Sequence, residues 1–458
     1  MHTPASRQNP ASRPATLGAR SKHGWRSFSL TFVAVLGLQL ASGLTQSAGE
    51  KDQMNEIWDI MTSPDNPASK EHGNKPGRGR NKQNRDIPMP EGEWPVASLL
   101  VARPGATTMD INVLASTDLS GRIEYGEKGG TKSLNTICMG DDFSADKLRE
   151  TTAAELAKVY LSHRHYLGLI GHSAPLFLVN GNHEQAARCN LDGTPNNVAV
   201  WAQNSREKYF SQPVPEGIFT GNPEPVEHIG LLRNYFAWTW GDALFVVIDP
   251  YWHSSAPVDN AYGENKKDRP EDGKSEGKNK RDLWKIGLGD KQYAWLKETL
   301  SKSKAPFKFV FAHHVNGTGR GGVEQAAYYE WGGKSRNGSD DFAAQRPGWD
   351  LPIHQLMAKY GVTIFFQGHD HIFCKQSLDG VIYQTLPDPA NTDYTVPRNE
   401  KAYKIGDAVA NSGRIRVSVS PENVKVDYIR SYLPKDATPE HPDGEISYSY
   451  TIPSKNKK

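Results

Sequence analysis

Cysteine is scarce in this chain: Cys138, Cys189 and Cys374 are the only three among 458 residues. They stand too far apart to form a thiolate metal cage or a disulfide framework, so buried or free thiols are expected. One disulfide stays open if the chain is exported. An excess of one charge is also missing. With 54 Lys and Arg against 52 Asp and Glu the net charge is +2, which excludes nucleic-acid or membrane-surface binding by bulk electrostatics. There is no internal repeat. The one long apolar run, SLTFVAVLGLQLASGLT, is short for a membrane-spanning helix and has no basic stop-transfer flank.

What is present is a globular composition, 37% hydrophobic and 10% aromatic, with enough length to bury a large core. The apolar run follows a basic start and precedes small residues around Ala41 and Ala48. That order predicts a cleavable signal peptide over 1–49, hence an exported, periplasmic or secreted protein with no membrane span after cleavage. Residues 50–92 are polar and lack an apolar period, which predicts a disordered linker. The tract 259–282 is charged throughout and reads as a solvated loop insertion.

Between these tracts helical and extended patterns alternate. Helices are expected from Ser144 to about Leu169, Val198 to Phe210, Asp290 to about Ser301 and Leu351 to Tyr360. Strands are expected at PLFLV, on either side of Gly241-Asp242, at FKFVFA and at VTIFFQ; four more, VIYQTL, RIRVSV, VKVDYI and ISYSYTI, follow. This is an α/β layout with a β-rich tail. Ligand-type residues cluster where apolar strands stop: Gly140-Asp141, Gly181-Asn182-His183-Glu184, His313-His314 and Gly368-His369-Asp370-His371. Strand ends in layered α/β proteins converge on one sheet edge, so distant segments can share a site. Imidazoles with a carboxylate and an amide oxygen suit zinc, iron or manganese.

With these four motifs, the chain over roughly Thr131 to Leu386 resembles the calcineurin-like metallophosphoesterase superfamily, which includes the purple acid phosphatases. The resemblance implies two stacked mixed β-sheets flanked by helices, over 134–432, with a C-terminal β tail from 433. It implies Fe, Mn or Zn and a phosphate-ester substrate. Asp141 would bridge two metals, and Asn182, His313 and His369 would complete one shell. His371 would bind the second ion. His183 would be the general acid, oriented by Glu184, with His314 the fallback ligand.

One family motif is not found. Members carry an earlier Asp-x-His at the end of the first strand, where this chain offers only Thr117-Asp118-Leu119-Ser120-Gly121. Residues 93–133 resemble, more weakly, the opening of a fibronectin-type β-sandwich, and Asp118 is then a turn residue. The alternative is a degenerate metal motif in which Asp118 supplies a carboxylate. On the first reading only Asp141 and His371 remain for the second ion, which leaves two functions open: a metal-dependent phosphoesterase, or a weak or inactive metal- or phosphate-binding scaffold. A carbohydrate-binding β protein is disfavoured, since most of the eleven Trp fall where core packing explains them. Tyr251, Trp252 and His253, and Arg320 in NGTGR, are further candidates for the cleft, Arg320 as a phosphate contact.

Overall fold

The computed structural model describes residues 29–35, 97–104, 110–115, 132–145, 152–255, 282–317, 319–389 and 391–455. The expected linker at 50–92, nearly all of the charged insertion, and Asp118 lie outside these residues.

In chain order the first elements are β1 (Ser29–Val35), β2 (Ala97–Ala102), β3 (Asp110–Ala115), β4 (Lys132–Cys138), α1 (Ala153–Gly171), β5 (Leu176–Leu178) and α2 (Val198–Tyr209). Next come β6 (Thr220–Gly221), β7 (Pro225–Val226), β8 (Gly230–Leu231), β9 (Phe236–Trp240), β10 (Ala243–Val247), α3 (Asp290–Lys302) and β11 (Phe307–Phe311). The rest are α4 (Tyr329–Gly332), α5 (Phe342–Gln345), α6 (Ile353–Lys359), β12 (Ile364–Gln367), β13 (Phe373–Leu378), β14 (Val381–Thr385), β15 (Asp407–Val409), β16 (Gly413–Val419), β17 (Asn423–Arg430) and β18 (Ile446–Pro453).

Two mixed sheets carry the fold, one ordered β18-β17-β16-β1-β4-β5 and the other β15-β13-β14-β12-β11-β10-β9-β6. They stack through an apolar layer, and the reason is visible in the period-2 alternation of the strands. Ile137, Phe177, Val417 and Tyr428 of the first sheet meet Trp238, Phe245, Phe309, Phe311 and Phe366 of the second. Trp238 lies between Phe177 (centroids 4.1 Å) and Phe245 (4.8 Å), so an aromatic stack spans the gap. The alternate residues face the helices. Cys138, Leu176 and Leu178 pack on Leu156, Tyr160 and Ala202 of α1 and α2, while Val310 and Phe365 pack on Leu296, Ile353 and Met357 of α3 and α6.

The structure adds detail to several of these segments. The first helix begins at Ala153, because Thr152, three residues before Glu155, caps it by accepting the Glu155 N–H at 3.1 Å; Ser144 does not start it. The apolar run expected to be the core of a signal peptide supplies β1, parallel to β4 and antiparallel to β16. Of the segment read as a partial sandwich, β2 and β3 form a two-stranded antiparallel sheet, and Leu100 packs on α1. The C-terminal tail adds β18 to the edge of the first sheet. All three cysteines are free thiols. Among the described residues no helix is long and apolar enough to cross a membrane.

A buried ion pair ties α4 to the end of α5, and a backbone hydrogen bond ties it to the start of α3. Glu330 is fully buried and accepts from the Leu288 N–H (3.0 Å) and from Arg346 Nε and a terminal nitrogen (3.2 and 3.1 Å). Burial outweighs Arg346 and pushes its carboxyl up from 4.5 to about 7. The folded state therefore holds this proton more tightly than the unfolded chain. The stability it contributes is full below about pH 4.5 and is lost as pH rises through 7, with a slope of at most about 1.4 kcal/mol per pH unit. Glu330→Gln should lower the urea midpoint throughout, since an amide offers one acceptor where two are used. It should also flatten the decline between pH 4.5 and 7, and an unchanged slope would refute this account.

Candidate active site

Four strand ends build the site. β4 stops at Cys138 and the chain turns through Gly140, whose φ of +90° suits glycine. A Cβ there would sit 2.7 Å from the Gly181 nitrogen and 2.8 Å from His313 Nδ1. Gly181, on the turn after β5, has the matching constraint from the other side: its Cβ would lie 2.3 Å from both the nitrogen and Oδ1 of Asp141. The two turns thus meet backbone to backbone.

Glu184 staples them. Its carboxylate accepts the N–H groups of Asp141 (3.1 Å), Phe143 (3.0 Å) and Gly181. Turn N–H groups buried away from water require such an acceptor, so the role on view for Glu184 is to brace the Asp141 turn. His183 lies beside it. Its N–H donates to Asp141 Oδ1 at 2.9 Å, its Nε2 is 3.8 Å from Asp141 Oδ2, and about a fifth of its side chain is exposed.

The second sheet delivers the remaining imidazoles. His313 Nδ1 donates to the Met139 carbonyl at 2.7 Å, which turns Nε2 inward to 2.9 Å from Asp141 Oδ2 and 3.3 Å from His369 Nδ1. His369 Nδ1 is in turn 2.9 Å from Asn182 Oδ1. His314 also belongs to the cluster: its ring stacks on His369 at 3.8 Å, and the ligating nitrogens of His313, His314 and His369 lie within 4.8 Å of one another. Tyr251 holds His314 through a 2.5 Å contact between its hydroxyl and Nδ1. Trp252 is in a separate apolar cluster with Val200 and Leu232.

His371 is not among the three imidazoles whose nitrogens lie together. Its side chain is 50% exposed, and its Nδ1 is 3.2 Å from Asp388 Oδ2. Asp388 was not singled out from the sequence, although it follows β14 in LPDP and so obeys the same strand-end rule as the other ligand types. Beneath the site a second unflagged network, Arg206, Asn180, Asn234 and Asp249, anchors the turn before Asn182. There Asn180 and Asn234 donate to Asp249 at 3.2 and 2.9 Å, and Arg206 donates to Asn180.

The electrostatics favour a cation. Burial is the largest influence on Asp141 and pushes its carboxyl up, but His313 and then His183 overcome it and hold the group well below the usual carboxylate range. Burial drives His314 and His369 well below the ordinary imidazole value, helped by neighbouring imidazoles and the Arg320 charge, which favours the neutral form that a metal ion requires. His314 Nε2 and Asn182 Nδ2 are buried and have no hydrogen-bond partner among the described residues. Imidazole nitrogens turned inward, one ionised carboxylate, one amide oxygen and a glycine cradle fit a metal ion. For one ion the fit is full. For a second ion the candidates among the described residues are Asp141 and His371.

Comparison with known proteins agrees with this geometry. The model of the calcineurin-like phosphoesterase family matches residues 136–373, just over half of the chain. No curated protein matches. Among solved structures, a purple acid phosphatase PPD1 from yellow lupin (Lupinus luteus) is 15% identical, with 70% of this chain and 46% of that one covered and a TM-score of 0.38. PhoD is 13% identical, with 70% and 64% covered and a TM-score of 0.43. A putative 5'-nucleotidase from Staphylococcus aureus is 13% identical, with 71% and 46% covered and a TM-score of 0.29. The chain spans about half to two thirds of the length of these three structures. With its matched segment running from β4 to β13 through all four ligand turns, the chain belongs to the calcineurin-like phosphoesterase family.

Proposed function

We propose that this protein hydrolyses phosphate mono- or diesters at the strand-end site. The observation that carries the reading is the hub in which His313 Nε2 faces Asp141 Oδ2, His369 Nδ1 faces His313, and Asn182 Oδ1 faces His369, each within 3.3 Å. When bound, an iron, manganese or zinc ion supplies Lewis-acid stabilisation and a nucleophilic water at neutral pH. Asp141, Asn182, His313 and His369 hold it, with His314 beside them. His183 is partly exposed, so it can meet the leaving group and give it a proton. Glu184 keeps His183 and Asp141 in register by fixing the turns that carry them. The protein is proposed to work after export, as its N-terminal residues suggest.

A second reading, a metal- or phosphate-binding scaffold of low activity, draws on the half-exposed His371 paired with Asp388. The test is hydrolysis of an alkyl phosphate, whose poor leaving group depends most on an acid, with Mn²⁺, Fe²⁺ or Zn²⁺ supplied. His183→Ala should be slower by about 10²- to 10⁴-fold with its metal content unchanged. Equal rates in the two proteins would remove the case for catalysis by this site.

A further inference from the structure

Asp370 lies between two histidines of the site, and both of them, His369 (φ +66°) and His371 (φ +54°), hold left-handed backbone that non-glycine residues rarely adopt. Something must hold this turn. Asp370 is 2% exposed, and its carboxylate ties two other segments to its own turn. Oδ1 accepts from Arg320 at 2.9 Å; Oδ2 accepts from the Gly321 N–H at 2.9 Å and from the Tyr403 hydroxyl at 2.6 Å. Tyr403 is itself 3.2 Å from the Thr385 hydroxyl, at the end of β14.

The same bonds orient Arg320. One terminal nitrogen is committed to Asp370 and to the His369 carbonyl (3.2 Å), while the side chain stays 43% exposed. Its Nε and second terminal nitrogen make no bond among the described residues. Two donors in a planar fork, fixed at one end and next to the metal-site imidazoles, form the arrangement that takes two oxygens of a phosphoryl group.

We infer that Arg320 is the substrate-phosphate contact of this site, and that Asp370 with Tyr403 is the clamp that positions it. The inference rests on the phosphoesterase reading but can fail separately from it. It predicts a guanidinium that binds the phosphoryl group in ground state and transition state alike, so its loss should fall on KM more than on kcat.

The probe is inorganic phosphate, titrated calorimetrically into the metal-loaded full-length protein, with metal content measured for each variant. Arg320→Ala should weaken phosphate binding by about tenfold or more at unchanged metal content, and Arg320→Lys should restore part of the loss. Asp370→Asn and Tyr403→Phe should each weaken phosphate binding, and neither should weaken it further in an Arg320→Ala background. That non-additivity is what a purely structural role for Asp370 would not produce. Unchanged phosphate affinity in Arg320→Ala, additive losses in the double variants, or no phosphate binding by the parent protein would each overturn the inference. A parent protein that binds phosphate through Arg320 yet hydrolyses no ester would instead sink the proposed catalysis and leave this contact standing.

Discussion

Asp141→Asn should leave a folded protein with less than about a tenth of the bound metal of the parent and an ester hydrolysis rate lower by about a thousandfold or more. The substitution keeps the shape and can keep the acceptor for the His183 N–H, so the turn survives. What it removes is the carboxylate 2.9 Å from His313 Nε2. The remaining candidate donors, Asn182, His313 and His369, carry no negative charge, and a buried cation without an anionic ligand is left with most of its desolvation cost unbalanced. Mass-spectrometric metal analysis beside far-UV circular dichroism reads both halves of the claim. Full metal content in the asparagine variant would show that Asp141 is not the anionic ligand.

Gly181→Ala is expected to do comparable damage by adding a single methyl group. The new Cβ would lie 2.3 Å from two Asp141 atoms and 2.7 Å from Glu184 Oε2, closer than side-chain carbons approach anything. Because two of these three are the Asp141 nitrogen and the oxygen it turns to His183, the site cannot yield by rotating a surface side chain. The turns after β4 and β5 must separate, and the Glu184 staple must lengthen with them. Overpacking of this kind costs about 1–3 kcal/mol. Misplacing one of two facing ligand turns should reduce metal affinity by about 100-fold. Thermal melts with and without metal separate the effects: the variant should lose the metal-dependent rise in midpoint as well as some intrinsic stability. A variant that melts and binds metal as the parent does would contradict the close contact of the two turns.

How much of this was legible in the sequence depends on the kind of signal. Strands buried on both faces, such as FKFVF and IFFQ, read as short apolar runs, and the polar residues just past them marked the site because strand ends converge. Gly140 and Gly181 looked like ordinary turn glycines, whereas their need arises from each other across 40 residues, a tertiary reason with no local trace. Asp388 and Tyr403 were missed for the same cause, since only the folded chain brings them to His371 and Asp370. The family resemblance implies that Glu184 orients His183, and in the structure its carboxylate accepts from backbone N–H groups that no sequence pattern reveals. β13, FCKQSL, alternates polar and apolar residues weakly and gains its strand state from pairing with β14 and β15.

The position of β1 also bears on the order in which the protein assembles. Leu30 pairs with Val419 on one side and with Ser133 on the other, so the second strand to emerge from synthesis in this part of the sheet meets β1 early and the third only near the end. Pairings of such long sequence separation close last, because the intervening chain must be organised before they return any contact energy. Throughout that interval one edge of Ser29–Val35 has no β16 to cover it. An apolar strand edge left half-paired for that long is where a folding chain pairs with a second copy of itself.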